Sequence, residues 1–341
     1  MPRGPRLDAP GTLHHVIARG IERKEIFKDK IDYEDFLKRL EIVVEKCNLE
    51  IYAWALIPNH FHLLVKTKNV LLSKAMRKLM TGYAVNFNKR QKRNGYVFQN
   101  RYKSILCEEE AYLLELVRYI HLNPYRAGIV KNLGELDKYS FSGHLALIGR
   151  VERKWQNTEE ILSQFGKYKK MARLNYRKFI EEGKGRGKRS ELIGGGLIRS
   201  AGGWFEVLAL RRQKLQIASD TRILGSGDFV ERILKEAEGK ELETLRFKSR
   251  GIGIKELCEK AADYYKIELT ELTSGSRRGI AQKARKEIAQ IAVKKMGLSG
   301  AEVARHIGVT ASCINRIVGQ GEIGLDGEII MRRLNVYKAM H

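Results

Sequence analysis

The sequence predicts an α+β fold: a split β-α-β antiparallel sheet with helices, followed by an all-helical domain. Three observations predict it. Between Thr12 and Leu122 the apolar spacing switches between period 2 and period 3.6, in the order strand, helix, strand, strand, helix, strand, helix. The middle two strands are separated by only Pro58-Asn59, as in a hairpin. Beyond residue 250, four helical patterns follow one another with short breaks.

Each element has a local reason. Thr12 to Arg19 is rich in β-formers and reads as a strand. Tyr33 to Cys47 places Phe36, Leu37, Leu40, Val43 and Val44 at helical spacing. Ile51 to Ile57 and His60 to Thr67 are the hairpin strands. Leu71 to about Lys92 is a long basic helix, started by Asn69 and ended by Asn94-Gly95. Tyr96 to Cys107 reads as another strand. Glu108 to Leu122 is a helix with acids in its first turn, where they favour the dipole, and Pro124 stops it. This order is the ferredoxin-like pattern, with helices expected on one face of the sheet.

The chain divides into residues 1–148, 149–250 and 251–341. In the middle region Tyr168 to Glu182 is a basic helix, Gly183 to Gly203 a flexible basic linker, and Asp228 to Glu238 a short helix. In the last region the helices are Ile254–Tyr265, Arg278–Met296, Ser299–Ile307 and Ala311–Val318. Ser299 and Glu302 have capping-box spacing, Gly308 makes a turn, and Thr310 can cap the final helix. Two short helices around a glycine turn are the helix-turn-helix signature; an ordinary helical bundle is the plainer reading.

Composition narrows the function. The 341 residues carry 64 Lys and Arg against 40 Asp and Glu, a net charge of +24, which excludes an ordinary acidic metabolic enzyme and favours a polyanionic partner. No run of 18 apolar residues occurs, so no membrane partner is expected. The basic N-terminus lacks the apolar segment of a secretory signal. Cys47, Cys107, Cys258 and Cys313 are scattered without a CxxC pair, which fits a reducing cytoplasm. Residues 51–107 hold eleven Lys or Arg and no acid, including Lys89, Arg90, Lys92, Arg93, Arg101 and Lys103. This stretch reads as a phosphate-tracking surface or as a solvated basic face. Arg101 and Lys103, alternate residues of one strand, are the foremost phosphate contacts. Tyr83, Phe87, Tyr96, Phe98 and Tyr102 supply rings for base stacking or for the core.

Two patterns carry chemistry. His60 and His62 alternate on a strand, so their imidazoles share one face while Phe61 points to the other. Such a pair suits a divalent metal or a buried hydrogen-bonded pair. Tyr119 and Asn123 share one helix face at i and i+4. A phenol acting as nucleophile needs its developing charge accepted; a half-buried packing aromatic needs nothing. Tyr83 is a rival phenol on a basic helix, and His121 lies far round the helix from Tyr119.

His60-Phe-His62, Phe98-Gln-Asn-Arg101-Tyr-Lys103-Ser104 and Tyr119-Ile-His-Leu-Asn123-Pro-Tyr-Arg126-Ala-Gly128 together resemble the REP-associated tyrosine transposases, of the HUH single-tyrosine superfamily of insertion sequences. The resemblance runs from about Gly11 to Ser142. It implies a ferredoxin-like catalytic domain that cuts and rejoins single-stranded DNA at hairpin-flanked sites. On that template Tyr119 is the nucleophile, leaving a 5′-phosphotyrosyl link and a free 3′-hydroxyl. His60, His62 and Asn123 hold Mg²⁺ or Mn²⁺. The helix ligand of the wider superfamily is often Gln; Asn fits this branch. The covalent link conserves the bond energy, so no nucleotide cofactor is needed, and no P-loop occurs.

Ala261 to Leu272, Ala281 to Met296 and Leu298 to Gly308 resemble the C-terminal, Trp-repressor-like DNA-binding domain of the replication initiator DnaA. The recognition helix departs from that family, with Ser312-Cys-Ile-Asn315-Arg316 in place of its usual run. The resemblance implies duplex or hairpin binding through Ser312, Asn315 and Arg316. The rival class is a non-catalytic DNA-binding regulator, or an RNA-binding protein, built on the same basic sheet.

Overall fold

The computed structural model describes residues 7–8, 11–68, 70–186, 192, 220–274, 279–319 and 322–334. Contacts divide the chain into two compact units, residues 1–233 and 234–341. Asn69 and nearly all of the basic linker after Arg186 lie outside the described residues.

The first unit runs β1 (Leu13–Arg19), α1 (Lys30–Cys47), β2 (Glu50–Ile57), β3 (His60–Lys66), α2 (Leu72–Arg90), β4 (Lys103–Cys107) and α3 (Glu109–His121). The sheet order is β2-β3-β1-β4-β5, where β5 (Ile223–Leu224) adds a two-residue parallel edge from far along the chain. All other neighbours are antiparallel. Ile57 pairs with His60 across Pro58-Asn59, closing the expected hairpin.

Two sequence expectations are corrected. The strand expected from Tyr96 begins only at Lys103; before it, Phe98 makes an isolated bridge to Gly20. The polar run Gln99-Asn100-Arg101 has no apolar alternation to bury against a partner. The helices do not all lie on one face. α1 and α2 bury Phe36, Leu40, Val44, Leu79 and Phe87 against Val16, Trp54, Phe61 and Leu63. α3 buries Leu116, Val117 and Ile120 on the opposite face, against Leu13, Ala53, Ala55 and Ile105. The strands demand cover on both sides: every residue of β2 except Glu50 is buried.

Residues beyond the sheet complete these cores. Trp155 joins the α1/α2 side, and Ile161, Leu162, Ala172, Tyr176 and Ile180 join the α3 side. The helix Lys169–Glu182 therefore packs within the first unit. At the start of α2, Asp8 accepts from the Leu72 and Ser73 amides at 2.8 Å each, capping the helix from a distant residue.

The second unit is helical around one core that includes Leu257, Ile288, Val303, Ile314 and Ile330. The helix expected over 228–238 runs the full length Gly227–Ser249. Ile254–Tyr265, Gly279–Lys294, Gly300–His306, Ala311–Gly319 and a further helix Leu325–Arg333 follow. Ser299 Oγ accepts from the Glu302 amide and Thr310 Oγ1 from the Cys313 amide, each at 3.2 Å. Gly308 turns between the two helices at φ +64°. Ile314 is buried, while Ser312, Asn315 and Arg316 face outward. Among the described residues no helix is long and apolar enough to cross a membrane.

Candidate active site

The α3 face of the sheet gathers the polar groups. Residues directly opposed on neighbouring strands share a face. Arg19 opposes His60, and Ile17 opposes both His62 on β3 and Lys103 on β4. His60, His62, Arg19 and Lys103 thus stand together on the side that α3 covers. Phe61 points through to the α1/α2 core, where its ring lies 4.8 Å from that of Phe36. Truncating such a buried ring costs on the order of 3–5 kcal/mol, so Phe61 anchors the strand that carries both histidines.

α3 brings Tyr119 onto the histidines. Its ring stands edge-on to His62 and to His15, with centroids 5.9 Å apart in each case. His60 and His62 are themselves 5.1 Å apart. Tyr119 is almost buried, at 9% exposure. The Arg126 guanidinium lies 5.1 Å from the Tyr119 ring centroid, and its Nη1 donates to the Tyr119 carbonyl at 3.1 Å. Asn123 opens the short helix Asn123–Arg126, and its Nδ2 donates to the same carbonyl at 3.0 Å. That leaves the Asn123 side-chain oxygen as its acceptor atom.

His15 is singled out by no sequence pattern. It alternates on β1 with Leu13 and Ile17, and β1 is the neighbour of β3. Only the register makes it diagonal to His62. Its Nε2 lies 2.9 Å from His62 Nδ1, and its Nδ1 lies 3.1 Å from the Leu192 carbonyl oxygen. Arg19 and Arg126 likewise enter the site through register and helix turn.

The electrostatics favour neutral imidazoles. Burial pushes His60 down to about 4, with Arg19 adding to the effect. Burial also lowers His15 to about 4, helped by Lys103 and opposed by the Leu192 hydrogen bond. His62 sits well below its ordinary value, chiefly through burial, with His15, His60 and Arg19 contributing. A neutral imidazole is the metal-binding form. His60 Nδ1 lies 2.6 Å from Asn59 Oδ1, an oxygen that only accepts. His60 therefore carries its proton on Nδ1 and presents a bare Nε2. Two neutral imidazoles and an amide oxygen are a donor set whose chemistry suits a divalent cation; the contact Asn123 makes is with the Tyr119 carbonyl. Among the described residues no three His, Cys, Asp or Glu side chains form a cage for one. Any cation here would keep positions open for water or substrate oxygens.

Other candidates lie elsewhere. Tyr83 is fully buried between α1 and α2, and its hydroxyl donates to the Ile26 carbonyl, on the face away from the histidines. Phe87 and Tyr102 are buried and Phe98 is partly so; of the five rings named for base stacking only Tyr96 is freely exposed, at 82%. Arg90 is paired with the buried Asp32. Arg93 lies over the Phe87 ring and donates to the Tyr96 carbonyl. Lys89 and Lys92 are exposed at the end of α2, in the layer opposite the histidines, and Arg101 is exposed just before β4.

His121 points into a separate buried network. Its Nδ1 lies 2.8 Å from the Tyr176 hydroxyl, which lies 2.9 Å from His144 Nδ1. His144 Nε2 donates in turn to Asp137 at 2.9 Å, and Arg177 donates to the same carboxylate at 3.0 Å. The network fastens the end of α3 to the helix Lys169–Glu182. It holds His121 away from the Tyr119 hydroxyl.

Comparison with known proteins places this geometry in a context. No curated protein matches the chain. A solved structure described as a REP-associated tyrosine transposase bound to a REP hairpin is 18% identical, with a TM-score of 0.37, covering 45% of this chain and 89% of that one. Residues 11–123 match the family described as "Transposase IS200 like", a span that holds β1 to α3 with His15, His60, His62, Tyr119 and Asn123, so this part of the chain is similar to the IS200-like transposases.

Proposed function

We propose that the first unit is a metal-dependent single-stranded DNA transposase that cuts and rejoins strands through Tyr119. The observation that carries this reading is the edge-on approach of the Tyr119 ring to His62. The strand order β2-β3-β1-β4 with α1 and α2 behind it supports a ferredoxin-like frame.

The Tyr119 hydroxyl attacks the scissile phosphorus. The P–O bond to the 3′ oxygen breaks, and that oxygen leaves as a 3′-hydroxyl. The phosphate stays on the 5′ end, joined to Tyr119. Attack by a 3′-hydroxyl reverses the step, so no nucleotide cofactor enters. His60 and His62 through Nε2, and Asn123 through its amide oxygen, would hold Mg²⁺ or Mn²⁺. Such an ion supplies charge stabilisation at the phosphate oxygens. Lys103 and Arg19 on the same face orient the phosphate, and Arg126 steadies Tyr119. Arg101 guides the strand beside them. Lys89 and Lys92, with Arg90 and Arg93 at the same end of α2, track phosphates further from the scissile bond. The second unit is read as a helix-turn-helix domain in which Ser312, Asn315 and Arg316 meet hairpin or duplex DNA.

The test uses the full chain and a hairpin-flanked single-stranded oligonucleotide with Mn²⁺. Wild type is expected to form a covalent adduct that chelation prevents. Tyr119→Phe forms none and still binds the oligonucleotide. Binding without any adduct in wild type would replace this reading with that of a non-catalytic DNA-binding regulator.

A further inference from the structure

We infer that His15 is a positioning residue that holds His62 in the one tautomer that leaves Nε2 free for a metal. The inference rests on the reading of His62 as a metal ligand.

Three hydrogen-bonding groups form a file from the α3-side core to His62. The Leu192 carbonyl can only accept, so His15 Nδ1, 3.1 Å away, carries the proton. His15 is fully buried between a carbonyl oxygen and a second imidazole, a setting that takes it in the neutral form. A neutral imidazole has one N–H, so His15 Nε2 is a bare lone pair. That lone pair lies 2.9 Å from His62 Nδ1, which therefore donates. His62 is also neutral, so its own lone pair falls on Nε2. Both nitrogens of His15 are engaged, which excludes it as a ligand in this arrangement.

The ring geometry agrees with the hydrogen bond. The centroids lie 5.2 Å apart with 27° between planes, as for two rings joined nearly end to end across that bond, so its direction restrains the rotation of His62 as well as its proton. Diagonal placement on adjacent antiparallel strands puts the rings within reach. His60 is fixed in the same sense by Asn59, from the hairpin turn. The two imidazoles are thus oriented by different devices, one local and one long-range. A hydrogen-bonded partner behind a ligating histidine fixes its tautomer and raises its basicity.

The test compares the metal-free full chain with His15→Phe and His15→Gln, each labelled with ¹⁵N-histidine. Nitrogen chemical shifts of His62 report its tautomer directly. Wild type is expected to show a protonated Nδ1 and a bare Nε2. Phe fills the space without an acceptor, so the His62 proton redistributes between the nitrogens. Mn²⁺ affinity, read from free Mn²⁺ by electron paramagnetic resonance, falls roughly 10- to 100-fold in His15→Phe. Gln offers an acceptor again and restores most of that loss. A wild-type His62 protonated on Nε2 would overturn the inference without recourse to any variant. So would equal Mn²⁺ affinity in wild type and His15→Phe. The expected tautomer in a wild-type chain that binds no Mn²⁺ would instead sink the metal reading and leave the role of His15 in fixing the proton intact.

Discussion

The ring of Tyr119 meets that of His62 edge-on, with 5.9 Å between centroids and 80° between planes. One residue comes from the last turn of α3 and the other from the middle of β3. Their meeting depends on α3 covering the sheet face opposite α1 and α2. Had all three helices lain on one face, Tyr119 would sit a sheet's thickness from both histidines of β3.

Tyr83 and Tyr119 should respond differently to loss of a hydroxyl. Tyr83→Phe leaves the buried Ile26 carbonyl without its donor, which costs on the order of 1–3 kcal/mol. Adduct formation should be unchanged. Urea unfolding and an adduct gel on the same protein check both halves. An adduct lost in Tyr83→Phe while the fold persists would transfer the nucleophile to the other face.

Arg126→Ala removes the guanidinium that bonds the Tyr119 carbonyl and lies over its ring. The rate of adduct formation should fall about tenfold, corresponding to ~1.4 kcal/mol in the barrier. Oligonucleotide affinity should change much less than the rate. Single-turnover kinetics separate the two effects; an equal loss in both would make Arg126 a simple phosphate contact.

Buried imidazoles set the acid limit of the fold. Burial lowers His14, His15 and His60 to about 4, and His62 and His121 lie well below 6.5. In the unfolded chain each takes up a proton near 6.5; in the folded chain each stays neutral to much lower pH. Between those limits the unfolded state binds more protons, so stability is full above 6.5 and is lost as pH falls toward 4. Thermal melts of the metal-free chain should be level above neutrality and drop steadily below about pH 6.5. A melting temperature unchanged down to about pH 4.5 would contradict burial of the neutral cluster.

Removal of residues 234–341 should leave cleavage of a short unpaired strand intact, because every group of the candidate site lies in the first compact unit. Binding to duplex DNA should weaken, with a shallower dependence on salt as fewer phosphates are neutralised. Titrations at several salt concentrations check this. Cleavage lost together with the second unit, in a truncated chain that remains folded, would show that the site needs both.

Short-range geometry was legible in the chain. Alternation puts His60 and His62 on one strand face, and a two-residue turn closes their hairpin. The helical repeat keeps Asn123 one turn from Tyr119, where its amide reaches the Tyr119 carbonyl. Ser299 and Thr310 cap helices three residues ahead. Each of these relations spans a few residues, so the backbone period alone dictates it. Register and layering are of another kind. His15 lies behind His62 because β1 pairs with β3, and Asp8 caps α2 from 64 positions earlier in the sequence. The pairing of Arg90 with Asp32 and the separation of Tyr83 from the histidines follow from the same layering. Those contacts join residues far apart in the chain, and they are set by which apolar faces must be buried together rather than by any local period.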